Sequence, residues 1–319
     1  MHPPSLTARA ERLARVLLAR AIRCPLLVGS RLFWLLRSEM HEPDVSDRFG
    51  VVLGLYCRHC APHRAHLARQ VIADGLLVAV AESIKAVPGK TARRETCRDR
   101  LAQIAPLLPE RWMVCLSPRM LVRGVDFAKC KVMESKKKPL LLFLQNDEAA
   151  ADPILVIFKT GDDLRQDLMT LQMLRIMDAL WLQQGLDLRM KPYGCCATGD
   201  ETGMVEIVTN SETINTINSD YGGGLMGAFK TSTIRAFIED SNSSSAQARD
   251  DAVENFVRTC AGYCVATFVM GIGDRELLQL CLFTPRLGCC QQHRRRCHRP
   301  RPSPTAQQSI RTIRTRAHT

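Results

Sequence analysis

The sequence predicts an α+β fold: an array of helices, then a small β-rich lobe with one long helix, then the start of a second helical lobe. Three observations carry this. Residues 5–60 repeat apolar side chains at helical spacing. Residues 129–209 break into short apolar runs separated by Pro, Gly and charged turns. Between them in character, "ILVIFKTGDDLRQDLMTLQMLRIMDALW" joins a buried-strand pattern, a glycine turn and an amphipathic helix. With 46% apolar residues in 319, the chain can bury a sizeable core.

Taken in order, "SLTARAERLARVLLARAIRC" places Leu13, Val16, Leu17 and Ala21 on one helical face. It is Arg-rich and acid-poor, and is read as a surface helix rather than a transit peptide. "GSRLFWLLRSEMHE" predicts a second helix, and "SDRFGVVLGLYCRHC" a third, capped by Ser46 or Asp47. A longer helix is expected over 66–87. Strands are expected near 129–134, 140–144, 154–159 and 204–209. The long helix carries Leu164, Leu168, Leu171, Leu174, Met177 and Trp181 as its stripe, with Asp162 and Asp163 in its first turn and Gly185 at its end. "DSNSSSAQARDD" reads as a polar loop, and the helix after it, 252–271, as buried on most sides.

Charge is unevenly placed. Of the net +12, residues 276–319 contribute +8 through nine Arg, no Lys and one acid. The body is mildly basic, which suits an anionic partner. The tail lacks aromatic interleaving, so nucleic acid is not expected as a partner. With no cleavable secretory signal, the fourteen Cys are expected to be reduced. Cys57 and Cys60 with His59 and His63 have the composition of a zinc site. They fall in a helical pattern with no second ligand pair, so zinc is not expected. Cys289, Cys290, His293, Cys297 and His298 form a second cluster in the tail, with no stronger claim to a metal.

Three motifs carry chemistry. Lys159 closes a strand, which would hold its ammonium at a fixed distance from a nucleotide's phosphates. "ESKKKP" sets Ser135 and three lysines at a turn where backbone N–H groups and ammonium ions can cradle phosphate. "GIGDR" puts Asp274 after a glycine-rich turn, as a phosphoryl-transfer loop would. No GxGxxG or GxxxxGK[ST] motif accompanies them, so neither a protein kinase of the usual type nor a P-loop enzyme is expected.

The phrases "FWLLRSE", "KCKVMESKKKPL", "IFKTGDDLRQD", "LDLRMKPYGC", "TGDETGMVEIV", "GAFK" and "CAGYCVATFVMGIGDR" resemble, in order, the catalytic subunits of class I phosphoinositide 3-kinases, nearest the gamma type. The resemblance implies the end of a helical accessory (PIK) domain at 1–63 and a linker helix at 64–107. A kinase N-lobe and hinge would follow at 108–209, the start of a C-lobe at 210–275, and a non-homologous basic tail at 276–319. It implies ATP and Mg²⁺ as cofactors and transfer of the γ-phosphate to the 3-hydroxyl of phosphatidylinositol 4,5-bisphosphate. It also implies a cytoplasmic chain recruited to the plasma membrane. Its partners would be phosphoinositide lipid at the membrane surface and, by family, a regulatory subunit, Ras and G-protein βγ, whose binding regions are largely absent.

Residue by residue, the resemblance makes Lys159 the ATP-phosphate lysine and puts Ser135 and Lys136 on the phosphate loop. Asp167 and Tyr193 would line the rear of the pocket. Glu206, Ile207 and Val208 would form the hinge that reads adenine through its backbone. Asp274 and Arg275 would open the catalytic loop. Two departures stand out. Leu141 replaces the usual Trp, and Glu276 falls where the family has its catalytic His. The metal-binding Asn and Asp, the activation loop and the C-terminal helices do not follow. No metal ligand is therefore assigned, and the chain is expected to be catalytically inactive. The alternatives are a non-catalytic regulatory or decoy fragment, or a tail translated from intronic or out-of-frame sequence. Exposed apolar surface on the helix at 252–271, with aggregation, is also expected.

Overall fold

The computed structural model describes residues 6–209, 211–222, 232–272 and 281–283. These fall into two compact units. The first holds the residues up to Leu171 plus Tyr193–Ile207, and the second Gln172–Pro192 and the residues from Val208.

The first unit begins with helices α1 (Leu6–Arg23), α2 (Ser30–Ser38), α3 (Pro43–His59), α4 (Ala61–Lys85) and α5 (Lys90–Ile104). A π-helical turn, Pro25–Gly29, joins α1 to α2. Seven strands follow: β1 (Trp112–Met113), β2 (Leu121–Val125), β3 (Lys131–Val132), β4 (Leu140–Asn146), β5 (Ile154–Thr160), β6 (Cys195–Gly199) and β7 (Thr202–Glu206). They form one antiparallel sheet ordered β1-β2-β4-β5-β7-β6, with β3 also paired to β4. Helix α6 (Arg165–Gln183) lies between β5 and β6 in sequence.

Helix α4 connects the two apolar clusters of this unit. Near its start Leu67 joins Ala21, Leu32, Phe33, Trp34, Leu36 and Tyr56 of the accessory helices. Further along, Leu77, Val80, Ala81 and Ile84 pack with Cys97 and Leu101 of α5 against Leu140, Leu142, Val156 and Phe158 of the sheet. Fully buried side chains of this size each contribute about 1.5–3 kcal/mol. The accessory helices are further fixed by buried polar contacts. Trp34 Nε1 donates to Gln70 Oε1 at 2.7 Å. His63 lies 2.7 Å from Tyr56 Oη and 3.2 Å from Ser30 Oγ. Burial lowers the His63 pKa and holds the Tyr56 hydroxyl well above its ordinary value. Arg165 ties the two regions at their surface, bonding Glu39 Oε2 at 3.0 Å and Asp163 Oδ1 at 2.9 Å.

In the second unit, Ile217 of α7 (Ile214–Gly222), Phe237 and Ile238 of α8 (Ser232–Ser241) and Ala252 of α9 (Ala246–Val269) form a small core. Ser245 caps α9 by accepting the Ala248 N–H at 3.0 Å. Strand β8 (Ser211–Thr213) pairs with β9 (Cys281–Phe283). The segment after α6 runs along α9. Arg258 and Thr259 each donate to its carbonyls, Asp187 O and Arg189 O, at 3.4 Å. Gly262 makes room for it, since a Cβ there would meet Met190 Sδ at 2.5 Å.

Several expectations change. Leu13 and Val16 are exposed, and only Ala21 of that stripe is fully enclosed. Helix α3 starts at Pro43, earlier than either expected cap, because Pro is pre-organised for the first turn. Asp162 and Asp163 precede α6 rather than forming its first turn. Asp163 Oδ1 instead accepts the Arg165 N–H at 3.0 Å. The strand expected over 204–209 is β7, which stops at Glu206. Helix α9 starts at Ala246, so the polar loop is shorter than expected, and α9 is not buried on most sides: Phe268 is 86% and Val269 66% exposed. Helix α5 and strands β1, β2 and β6 were not anticipated. His63 bonds the Tyr56 and Ser30 hydroxyls. No group of three His, Cys, Asp or Glu side chains among the described residues could hold a metal ion. The tail cysteine–histidine cluster lies outside the described residues.

Gly29 is a packing glycine. Its backbone is right-handed helical (φ −65°), which Ala tolerates, but a Cβ would come within 1.8 Å of the buried Tyr56 hydroxyl. Gly29→Ala is expected to cost about 1–3 kcal/mol in urea unfolding. The cost should shrink in the Gly29→Ala/Tyr56→Phe double variant, and a strictly additive pair would contradict this packing.

Candidate nucleotide-binding face

Alternation along the central strands gives the sheet two faces. Val156, Phe158 and Thr160 of β5 point to the α4–α5 core, whereas Leu155, Ile157 and Lys159 take the opposite face and are half-buried. Cross-strand register extends that second face: Leu141 pairs with Ile157, Phe143 with Leu155, Val205 with Ile157 and Gly203 with Lys159. The result is an apolar strip of Leu141, Phe143, Ile157 and Val205 with a lysine at one end. Leu141 is the smaller residue standing where the resemblance expects Trp, and it forms part of this strip.

Lys159 is 29% exposed, and its Nζ lies 3.4 Å from Asp162 Oδ2. This is an ion pair open to water, one a phosphate could compete for. The turn after β5 is built on Gly161 (φ +88°), whose N–H donates to Glu201 O at 2.7 Å. The β3–β4 turn folds beside it. Ser135 N–H donates to Met133 O at 3.0 Å and Lys138 N–H to Ser135 O at 3.1 Å. Lys138 takes a left-handed backbone (φ 51°) and donates its Nζ to Lys85 O at 2.8 Å, at the end of α4. Lys85, Lys136, Lys137, Lys138, Gly161 and Glu201 surround a cavity of about 300 Å³. The missing side chain of Gly161 admits the Lys137 and Lys85 ammonium groups, 3.4 and 3.6 Å from where its Cβ would lie. Four cations around a space of that size suit a polyanion.

At the far end of β7, Glu206 N–H donates to Gly194 O at 2.8 Å, and its carboxylate accepts the Gly194 N–H at 2.6 Å. Ile207 N–H donates to Leu155 O at 3.1 Å. Val208 lies in the second unit, where its carbonyl accepts from Ser211 Oγ at 2.6 Å. Asp167 is half-buried in the first turn of α6, and Tyr193, also half-buried, directly precedes Gly194. The structure thus brings Lys159, the Ser135–Lys138 turn and Gly161 to one end of the sheet, and places Glu206 and Ile207 along the neighbouring strand. Asp274 and Arg275 lie outside the described residues. The sequence reading missed Asp162 as the partner of Lys159 and Lys85 as part of the lysine cluster. The i, i+3 spacing of Lys159 and Asp162 across a turn was the available signal for the first. Lys85 comes from a distant helix and gave none.

Two segments match known families. Residues 8–69 match the phosphoinositide 3-kinase family accessory domain (PIK domain), and residues 153–284 match phosphatidylinositol 3- and 4-kinase. A helical accessory segment leading into a sheet of this kind is the order in which these two family matches fall along the chain. The chain belongs to the phosphoinositide 3-kinase family. Phosphatidylinositol 3-kinase 2 of Dictyostelium discoideum is 43% identical over 264 residues, and phosphatidylinositol 3-kinase 1 of the same organism 44% over 266. Each alignment covers 83% of this chain but only 14% and 17% of the relatives' lengths.

The Glu206–Gly194 pair fixes the end of β7 through a charge-assisted bond. Glu206→Ala should lower stability by about 1.5–3 kcal/mol in urea unfolding. Glu206→Gln, which keeps an acceptor, should lose less; equal losses would show that the carboxylate does not pin Gly194.

Proposed function

We propose that the described face binds ATP and that the chain derives from a phosphatidylinositol-4,5-bisphosphate 3-kinase of the gamma type, acting in receptor-coupled signalling. The observation that carries the ATP reading is the half-buried Lys159 at the end of an apolar strip, beside the lysine-rich turn. An adenine would lie on Leu141, Ile157 and Val205 and take hydrogen bonds from the 206–208 backbone. Lys159 and the Ser135–Lys136 turn would hold the phosphates, with Asp162 releasing Lys159 to them. Asp167 and Tyr193 would close the rear of the pocket. When bound, Mg²⁺ would neutralise the phosphates. Among the described residues no donor set fits it, so no step is assigned through it.

In the family's chemistry the protein positions the two reactants and stabilises charge on the transferring group. Asp274 and Arg275 would begin the loop that receives the 3-hydroxyl, and Glu276 replaces the histidine that would continue it. A carboxylate near transferring phosphate oxygens repels them rather than stabilising them. On this reading the chain grips nucleotide without turning it over, and serves as a non-catalytic relative. A cytoplasmic setting with recruitment to the plasma membrane, and contacts with a regulatory subunit, Ras or G-protein βγ, are part of the same proposal. Among the described residues no helix is long and apolar enough to cross a membrane.

Equilibrium binding of a fluorescent ATP analogue to the purified chain tests the first part. Lys159→Met should weaken it by ~10–100-fold, as the loss of a charge-assisted phosphate contact predicts. Unchanged affinity would remove Lys159 from the site. Incubation with labelled ATP and vesicles containing phosphatidylinositol 4,5-bisphosphate tests the second. No 3-phosphorylated lipid is expected, and product formed at a rate typical of family enzymes would overturn the inactive reading.

A further inference from the structure

We propose that Arg37, Asp74 and Thr198 form a proton-linked clasp fastening the accessory helix α2 to the kinase sheet, closed when Asp74 is neutral and loosened when it ionises. Asp74 sits at the centre of α4, 5% exposed. Its Oδ1 has no hydrogen-bond partner, and neither do the buried Arg37 Nε of α2 and Thr198 Oγ1 of β6. The Thr198 hydroxyl faces Asp74 without completing a bond to it. Three elements therefore bring unsatisfied polar atoms to one place, where each would cost about 1–3 kcal/mol if left dry. A cavity of about 10 Å³ adjoins Asp74, bordered also by Trp34, Gln70, Trp112 and Cys115. That is the lower limit for one water. A carboxylate needs more solvation than one water provides, so the site favours the neutral acid.

The geometry also supplies the alternative arrangement. The Arg37 guanidinium lies over the Trp34 ring, 5.6 Å from its centroid, while Trp34 holds Gln70. An ionised Asp74 competes with that ring for Arg37. Drawing Arg37 away from Trp34 would disturb the Trp34–Gln70 contact that joins α2 to α4. The other titratable groups of the cluster are thiols. Cys115, after β1, is held well above its ordinary pKa by a hydrogen bond with Cys196 and by burial, with Asp74 and Cys195 adding to the effect. It therefore stays neutral, and Arg37 is the cation that acts on Asp74.

Burial raises the Asp74 pKa from 3.8 to about 6, against the smaller opposing pulls of Thr198 and Arg37. The folded state thus binds a proton more tightly than the unfolded chain. The stabilisation is complete below pH 3.8 and is lost as pH rises to about 6, so acidification tightens the clasp. A shift of that size corresponds to a change of roughly 100-fold in the unfolding equilibrium. His63, whose pKa burial lowers, works in the opposite sense, losing stability as pH falls below its ordinary 6.5.

Trp34 and Trp112 both border the cluster, so tryptophan fluorescence of the full chain, titrated from pH 4.5 to 8, reports on it. A transition centred near pH 6 is expected in the parent and not in Asp74→Asn, which keeps the shape but cannot ionise and leaves every histidine in place. Amide exchange of 30–38 and 195–199, corrected for the intrinsic pH dependence, should rise above that midpoint in the parent alone. A transition that persists in Asp74→Asn, or none between pH 5 and 7, overturns the clasp. Should Asp74→Asn fail to fold, Arg37→Met replaces it: losing the cation should move the midpoint upward, and an unmoved midpoint is equally fatal.

Discussion

Along its buried face, helix α4 presents His63, Leu67, Gln70, Ala73, Asp74, Leu77, Val80, Ala81 and Ile84 in steps of one, three or four residues. The first half of that row closes the accessory helices and the second half underlies the sheet. Remove this face and the apolar clusters around Trp34 and around Phe158 lose their common member. The accessory helices and the kinase sheet are thus continuous in packing as well as in sequence, because one rigid rod serves both.

The consequence for the candidate site is geometric. With α4 and α5 filling one side of the sheet, Val156, Phe158 and Thr160 are committed to the core, and Lys159 must take the other side by strand alternation. The end of α4 then meets the β3–β4 turn, where Lys138 bonds the Lys85 carbonyl. The helix that supports the sheet thereby orients the turn that would cradle phosphate, and adds Lys85 to the cluster. The same helix carries Asp74, an ionisable group enclosed beside Arg37 and Thr198.

Legibility in the sequence tracked the strength of local pattern. Helices α1 to α4 and α6 were visible because apolar residues recur at 3.6-residue spacing. Strands β4 and β5 were visible as dense apolar runs. Helix α5 was hidden because "KTARRETCRDRLAQI" buries only Cys97, Leu101 and Ile104 among charged residues. Strands β1 and β8 are two and three residues long, too short to show a period. For the candidate site, Lys159 and the lysine turn stood out by their places after a strand and at a turn, and the resemblance gave them roles. Asp162, Lys85 and the Glu206–Gly194 bond depend on side chains meeting across the fold.

By itself the sequence determined the order of helices, sheet and helices, and the strand that carries Lys159, since both are local. Only the tertiary structure decided which face each strand buries, which lysines gather around Gly161, that His63 serves Tyr56 and Ser30, and that Asp74 is enclosed beside Arg37. Those outcomes require residues tens of positions apart to share one small volume. No local pattern encodes that volume; it exists only once α4 has packed against both of its neighbours.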